Sequence, residues 1–263
     1  MEQVVNLVHQ MSEVNVLLVS ETWFNAGDAG FNKIEGFALY HSDRIGRRGG
    51  GVAVYIRNEI HVRVNFARST FTFDIIHLSL QLHRVKQDVI LVYNSNKTNL
   101  PLLLRELENI LSSSNGQSAL IFGDFNINLF DKDTDQDRYL DLLHTFNFGW
   151  VNTEYPTRES ANLNSCIDHV FVNDFQFGYD VHIVLNDISD HNIIVLDCYR
   201  EGCYVEKNRI TNVIKMVLPG RVKEALRKKP FHESSESACG LAEDLENYIA
   251  DVVNKEVLRR ELE

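Results

Sequence analysis

Between Gly51 and Tyr93 the chain reads GVAVYIR, IHVRVNF, FTFDIIHLSLQL and DVILVY, four runs rich in β-branched and aromatic residues with only short spacers between them. The spacers leave no room for the crossover that a parallel partner needs, so this succession predicts antiparallel pairing. Other runs are apolar without alternation and read as strands covered on both faces: VNVLLVS, which ends at Ser20 and Glu21, SALIFGD, and IIVLD after Ser189, Asp190 and His191. CIDHVFV and YDVHIVL complete the sheet-forming part. Helical spacing is found at Val4, Leu7, Val8 and Met11, in LLLRELENIL opened by Asn99 and Pro101, and at Tyr139, Leu142, Leu143 and Phe146. The fold class is α/β with much antiparallel sheet.

Beyond Tyr199 the pattern changes to a charged connector, the helical run GRVKEALRKK, and a longer helix with Leu241, Leu245, Tyr248, Ile249 and Val252 on one face. A boundary near residue 200 is expected, with residues 1–200 as the sheet domain and 201–263 as a helical extension. DKDTDQDRYLDL resembles a calcium loop only at first sight. Gln136 stands where the turn glycine belongs and Leu142 where the closing glutamate belongs, so it reads as a solvated turn capping the next helix. No stretch approaches the roughly 20 apolar residues of a membrane helix, and the N-terminus lacks a signal-peptide pattern. An intracellular protein without a membrane partner is expected. Cys166, Cys198, Cys203 and Cys239 form no CxxC pair and read as reduced thiols.

A net charge of −11 argues against a protein that coats nucleic acid, because sequence-independent affinity comes from Lys and Arg against phosphates. It does not exclude an enzyme that gathers carboxylates around a cation, since the cation inverts the local field seen by a phosphate. The run DRIGRRGGG concentrates Arg44, Arg47 and Arg48. It is either a phosphate-facing loop, with Arg48 as a substrate contact, or a glycine-rich solvated turn.

Polar groups recur at the strand ends. Glu21 follows VLLVS, Tyr93 follows DVILV, Asp124 and Asn126 follow ALIFG, Asp168 lies in SCIDHVF, and Asp190 with His191 precede IIVL. In open sheets catalytic groups gather where strand ends converge. A single strand-end acid is more often a turn former, and Tyr93 alone could be a core ring with a satisfied hydroxyl. Their joint order is more specific than any one of them.

That order, ETW, a strand-end Tyr, GDFN, SxIDHVF and SDH before an apolar strand, resembles the endonuclease/exonuclease/phosphatase superfamily. More narrowly it resembles the apurinic-type endonuclease domain of non-LTR retrotransposons. The resemblance implies a four-layer α/β sandwich of the DNase I-like kind, two packed mixed sheets flanked by helices, with a metal-dependent phosphodiesterase site at the sheet edge. It implies Glu21 as the principal Mg²⁺ ligand, with Mn²⁺ an alternative, and Asp190 as a second metal contact or an outer-sphere ligand. Asp124 would orient and deprotonate the attacking water and Asn126 would hold water or phosphate. Asp168 would fix His191, whose role as base, acid or electrostatic clamp stays open. Tyr93 and Asn96 would touch the scissile phosphate, Ser165 of the SxIDHVF motif would stand with the substrate contacts, and Thr157 would open a hairpin reaching DNA, unless it is a plain turn after Pro156.

Two features depart from the family pattern. The family carries a further strand, with an Asn that joins the site, ahead of the helix with which this chain starts, and YNSNK lacks the proline turn that often follows the family Tyr. The expected function is a Mg²⁺-dependent endonuclease acting on double-stranded DNA in the nucleus. It would nick one strand to leave a 3′-hydroxyl primer for a downstream reverse transcriptase domain of a longer polyprotein. The alternatives are a phosphatase or lipid phosphodiesterase of the same fold, and an inactive remnant that acts only as a binding module.

Overall fold

The computed structural model describes residues 14–24, 32–44, 49–82, 85–95, 100–114, 116–152, 155–160, 163–174, 177–184, 189–200 and 209–217. The chain divides into two compact units, Met1–Gly220 and Arg221–Glu263, and all the described residues belong to the first. The helix read at residues 4–11 and the helical stretches read after residue 220 lie outside the described residues.

In chain order the strands are β1 (Val16–Ser20), β2 (Phe37–Ser42), β3 (Val52–Arg57), β4 (His61–Ser69), β5 (Phe73–Leu82) and β6 (Val85–Asn94). After helix α1 (Leu100–Ser113) come β7 (Ala119–Asp124), helix α2 (Thr134–Thr145), β8 (Gly149–Trp150), β9 (Arg158–Ser160), β10 (Leu163–Ser165) and β11 (Asp168–Val172). The last three are β12 (Phe177–Val184), β13 (Ile193–Arg200) and β14 (Arg209–Val217). They form two six-stranded sheets, ordered β12-β13-β14-β1-β3-β2 and β4-β5-β6-β7-β11-β8, and a separate β9–β10 hairpin. Each sheet is mixed, for β1 runs parallel to β14 in one and β6 parallel to β7 in the other, while the remaining pairs are antiparallel.

The alternation of side chains builds the layers. Cross-strand partners share a face. In the second sheet, Leu78, Val89, Leu120 and Val172 form one row and Ile76, Leu91, Phe122 and Val170 the next. All eight are buried against Val16, Leu18, Val52, Val54 and Ile56 of the first sheet, so these rows are the inter-sheet core. Truncating a residue such as Phe122 to Ala in this layer costs roughly 3–5 kcal/mol. The opposite face of the second sheet packs Ile75, Ile90, Val92 and Ile121 against Leu103, Leu107 and Ile110 of α1 and Tyr139 and Leu143 of α2. The outer face of the first sheet buries Leu17, Val19, Ala53 and Tyr55 with Val14, Phe24 and Ile34. The expected α/β architecture, two packed mixed sheets flanked by helices, is the one observed.

Three differences from the sequence reading have clear causes. The four runs between Gly51 and Tyr93 do not form one meander: β3 pairs with β1 and β2, and the chain then crosses to the other sheet, where β4, β5 and β6 pair in order. Spacing reports that a chain reverses, not which sheet receives it. The strand β2 passed unread because FALYHS is half-buried at a sheet edge and carries little periodic signal. The connector after Tyr199 contains β14, which lies between β13 and β1, pairing antiparallel with the first and parallel with the second. The sheet therefore draws on residues past 200, and RITNVIKMV, whose polar and apolar residues mix, takes its strand form from two flanking partners. The solvated-turn reading of DKDTDQDRYLDL stands, since Asp133 is the N-cap of α2 and accepts a hydrogen bond from the Gln136 amide at 2.7 Å.

Candidate active site

At one end of the inter-sheet core the next row of the second sheet turns polar. Asp74, Tyr93, Asp124 and Asp168 are cross-strand partners on β5, β6, β7 and β11, in register with the apolar rows just described. Neighbouring strands stand about 4.8 Å apart, so four polar groups share one short edge. Asp74, Asp124 and Asp168 are fully buried or nearly so. The first sheet contributes Glu21, directly after β1, and His191, two residues before β13.

Local backbone features aim these groups. Glu21 and Asn126, each just past a strand end, adopt left-handed conformations with φ of 55° and 51°. Such a conformation costs a non-glycine residue roughly 1–3 kcal/mol, and cost of this kind is concentrated at functional sites. Asn126 is held by its amide, which donates to Asp124 Oδ1 at 3.1 Å, and by Nδ2, which donates to the Asn94 carbonyl at 2.6 Å. Gly123 is required because β7 runs so close to β6 that a Cβ there would lie 2.5 Å from the Val92 carbonyl oxygen.

His191 Nδ1 lies 2.7 Å from Asp168 Oδ2, and both side chains are buried. A carboxylate only accepts, so Nδ1 carries the proton and Nε2 is the nitrogen left for chemistry. Thr157 fixes the other partner: fully buried, its Oγ1 accepts from the amides of Ile167 at 3.1 Å and Asp168 at 3.0 Å. Its carbonyl accepts from the Asn192 amide at 2.7 Å, which ties the Asp168 strand to the His191 loop. Asn152 holds Asp168 from the far side, donating to its carbonyl at 2.9 Å and accepting from the Val170 amide at 2.7 Å.

The Tyr93 hydroxyl donates to Glu21. Burial, and then the charges of Glu21 and Asp124, push its pKa well above the ordinary 10, so it stays a neutral donor. Beneath it, Arg44 and Asp74 form a buried ion pair of 2.5 Å, with the guanidinium 5.1 Å from the Tyr93 ring centre. The glycine run serves this pair: a Cβ at Gly50, whose φ is 83°, would lie 2.4 Å from the guanidinium carbon, and the Gly51 amide donates to Asp74 at 2.9 Å. Neither earlier reading of DRIGRRGGG fits its first arginine, which is a structural clamp, while Arg48 lies outside the described residues.

Asp190 meets Arg158, at 2.7 Å, across the base of the β9–β10 hairpin. Burial raises its pKa, but the charge of His191 and the bond and charge of Arg158 outweigh that and hold it below its ordinary value. An Asp124 oxygen, an Asp168 oxygen and a His191 nitrogen all lie within 4.8 Å of one another, whereas neither of the expected metal ligands, Glu21 and Asp190, is in that group; Glu21 is hydrogen-bonded to Tyr93 instead. Ser165 is buried at the end of β10, where its carbonyl accepts from the Thr157 amide at 2.9 Å. Asn96 lies outside the described residues. Sequence reasoning missed Asp74, Asn94 and Asn152. Asp74 left a signal, because it occupies an inward position of the alternation it shares with Ile76, Leu78 and Leu80.

The donor set suits a hard divalent cation. Asp124 and Asp168 oxygens lie together, Glu21 accepts from the hydroxyl of Tyr93 in the same row, and carboxylate oxygen is what Mg²⁺ or Mn²⁺ prefers. A family model described as the endonuclease/exonuclease/phosphatase family matches residues 1–191. The chain belongs to this family. Its members are metal-dependent phosphoester hydrolases, and the site row and His191 all fall within the matched residues. Among solved structures the fold is similar to the endonuclease domain of TRAS1, a telomere-specific non-LTR retrotransposon, with a TM-score of 0.60 and 13% identity over 75% of this chain and 92% of that one. It is similar to the mannosyl-6-phosphatase Bt3783 of Bacteroides thetaiotaomicron, with a TM-score of 0.51 and 13% identity over 74% and 89% of the two chains. It is also similar to D. rerio TDP2 complexed with a single-strand DNA product, with a TM-score of 0.52 and 11% identity over 75% and 89%. No curated protein matches the sequence. Among the described residues no helix is long and apolar enough to cross a membrane.

Proposed function

We propose that this family member is a Mg²⁺-dependent DNA endonuclease that nicks one strand and leaves a 3′-hydroxyl able to prime reverse transcription by a downstream domain of the same polyprotein. The observation that carries the reading is the row Tyr93, Asp124 and Asp168 facing Glu21 and the His191–Asp168 pair. The fold is shared by nuclease and phosphatase neighbours alike, and the wording of the GDFN and IDHVF motifs is what favours the nucleic-acid branch over the phosphatase branch. Its place of action would be the nucleus.

A divalent cation held by Glu21 and Asp124 would offset charge on the phosphoryl oxygens. The protein's own groups do the rest. Asp124, fixed by the Asn126 amide, orients a water in line with the scissile bond and takes its proton. His191, with Nδ1 committed to Asp168, presents Nε2 to a phosphoryl oxygen. Tyr93, kept as a phenol, holds the Glu21 carboxylate in place. Asp190, paired with Arg158, braces the hairpin beside the His191 loop.

Relaxation of supercoiled plasmid to nicked circles, with Mg²⁺, with Mn²⁺ and with chelator, tests the reading. Metal-dependent nicking with 3′-hydroxyl ends is the expected result. Release of phosphate from sugar or inositol phosphates without nicking would assign the phosphatase branch, and neither activity would assign a binding module.

A further inference from the structure

All three exposed large aromatic residues among the described residues, Phe71, Phe130 and Tyr155, lie on loops at the end of the sandwich that carries the site. They are 67%, 44% and 61% exposed. Each loop is tied back to the site by hydrogen bonds. Phe71 occupies the β4–β5 turn, whose Thr70 and Phe73 are bonded to each other and whose Thr72 carbonyl accepts both the amide and the hydroxyl of Ser95, two residues after Tyr93. Phe130 follows Leu129, whose amide donates to the Cys166 carbonyl at 2.9 Å, two residues before Asp168. Tyr155 precedes Pro156, whose carbonyl accepts from Asn192 at 3.1 Å, next to His191. An exposed aromatic ring on a loop that is free to move reports little. Three on loops fixed to one edge make a built feature.

The electrostatics of that edge explain what such rings would be for. Among the described residues at that edge, Arg44 is buried on Asp74, Arg158 is held by Asp190 in a pair exposed at the surface, and the chain as a whole carries −11. Affinity for a polyanion that rests on phosphate contacts needs cations available to displace counterions. Stacking of a base on an aromatic ring is the other general source of affinity, and it is indifferent to sequence because every base has a π-face. Bases in an intact duplex are stacked on one another and offer no such face.

We infer that Phe71, Phe130 and Tyr155 form a stacking platform that takes unpaired bases flanking the scissile phosphate, so that the preferred substrate is DNA locally opened at the nick site. The inference rests on the endonuclease reading and adds the conformation of the DNA to it. None of the three rings belongs to the polar row or to the His191–Asp168 pair, and all are exposed, so their removal leaves core and chemistry in place.

The test uses the full chain and synthetic DNA of one sequence in three forms: duplex, duplex with a short central bubble, and single strand, with 2-aminopurine beside the expected nick. Binding is measured in chelator, and cleavage in Mg²⁺. The parent is expected to bind the bubble about tenfold more tightly than the duplex, with quenching of the 2-aminopurine emission and a shallow dependence on salt. Phe71→Ala and Tyr155→Ala should each weaken bubble binding by about tenfold, abolish the preference and raise KM without changing kcat, and Phe71→Trp should restore it. Hydrolysis of bis-p-nitrophenyl phosphate, which has no base to stack, should be unchanged in all of them. Alanine variants that bind and nick bubble DNA within twofold of the parent overturn the inference and leave the endonuclease reading standing. A parent that hydrolyses sugar phosphates and neither binds nor nicks any of the three DNAs overturns both.

Discussion

Two polar clusters interrupt the apolar layers of this protein, at opposite ends of the second sheet and on opposite faces of it. Away from the site, His77, Ser79 and Asp88 are buried together on β5 and β6: Asp88 accepts from His77 at 2.9 Å and from Ser79 at 2.6 Å, and Asn65 donates to Ser79 at 2.7 Å. Each donor there meets an acceptor, and the one carboxylate is matched by a ring nitrogen and a hydroxyl. At the site end, among the described residues, five carboxylates (Glu21, Asp74, Asp124, Asp168 and Asp190) are hydrogen-bonded or ion-paired with groups that include two guanidiniums and one imidazole. Buried polar groups normally come satisfied, because an unmatched one loses its hydration for nothing. The first cluster obeys that rule and serves stability. The second is also hydrogen-bonded but concentrates negative charge, an excess that a bound cation would offset, which is how a binding site differs from a structural network of similar composition.

The comparison breaks first on activity. Asp124→Ala is expected to lower Mg²⁺-dependent nicking by 10³-fold or more, and Asp88→Ala to leave the rate per folded molecule within about twofold. A plasmid assay on both variants decides, and an Asp124→Ala protein that nicks at the parental rate removes Asp124 from the chemistry. His191→Ala comes next, with a loss of roughly 10²- to 10⁴-fold in kcat, the usual contribution of a positioned acid or base.

Stability should run the other way. In chelator, Asp124→Asn should melt at or above the parental temperature, since it removes one of several like charges, and saturating Mg²⁺ should no longer raise its Tm. For the parent, cation at about 100 times its Kd should add roughly 2.7 kcal/mol. Asp88→Ala should lose roughly 2–3 kcal/mol, the value of a buried hydrogen bond to a charged group, and should gain from Mg²⁺ as the parent does. Calorimetry with and without cation separates these outcomes, and a cation-induced rise that survives in Asp124→Asn would place the ion elsewhere.

The smallest effect is a pH dependence. Burial by itself raises the Asp88 pKa, but hydrogen bonds from His77 and Ser79 and the charges of His77 and Lys86 outweigh it and hold it below the ordinary 3.8. A carboxyl depressed on folding contributes stability that is fully present above its unfolded value and lost as pH falls through the folded one. Parental stability should therefore decline below about pH 4 in part through this group, and Asp88→Asn should flatten that limb. An unchanged acid limb in urea titrations at pH 3 to 5 would count against the network as drawn.

How much of this could be read beforehand varies by residue, for physical reasons. Asp124, Asp168, His191, Tyr93 and Glu21 were legible because each stands beside a run whose apolar letters fix it as a strand, so its place at a strand end followed. Asp74 carried a fainter mark as the one acid on an otherwise apolar face. Asn152, in WVNTEY, carried none, since what it does depends on a carbonyl and an amide sixteen and eighteen residues away. Thr157 was read as the residue that opens a hairpin reaching DNA or as a plain turn. The β9–β10 hairpin does begin directly after it, but the contiguous letters gave no sign of what the structure shows, a buried hydroxyl accepting from the amides of Ile167 and Asp168.

By itself the sequence determined the local facts: which segments alternate, where Asp133 caps α2, where apolar runs end in acids. These depend on side-chain periodicity and on hydrogen bonds within a few residues, so they are written in contiguous letters. Only the tertiary structure decided which sheet each strand joins, that β14 from beyond residue 200 lies between β13 and β1, and that Asp74, Tyr93, Asp124 and Asp168 fall in one register. Register and strand order are set by the mutual packing of two whole faces. A shift of one residue turns every side chain of a strand to the other face, so the choice belongs to the assembled core and not to any single stretch of chain.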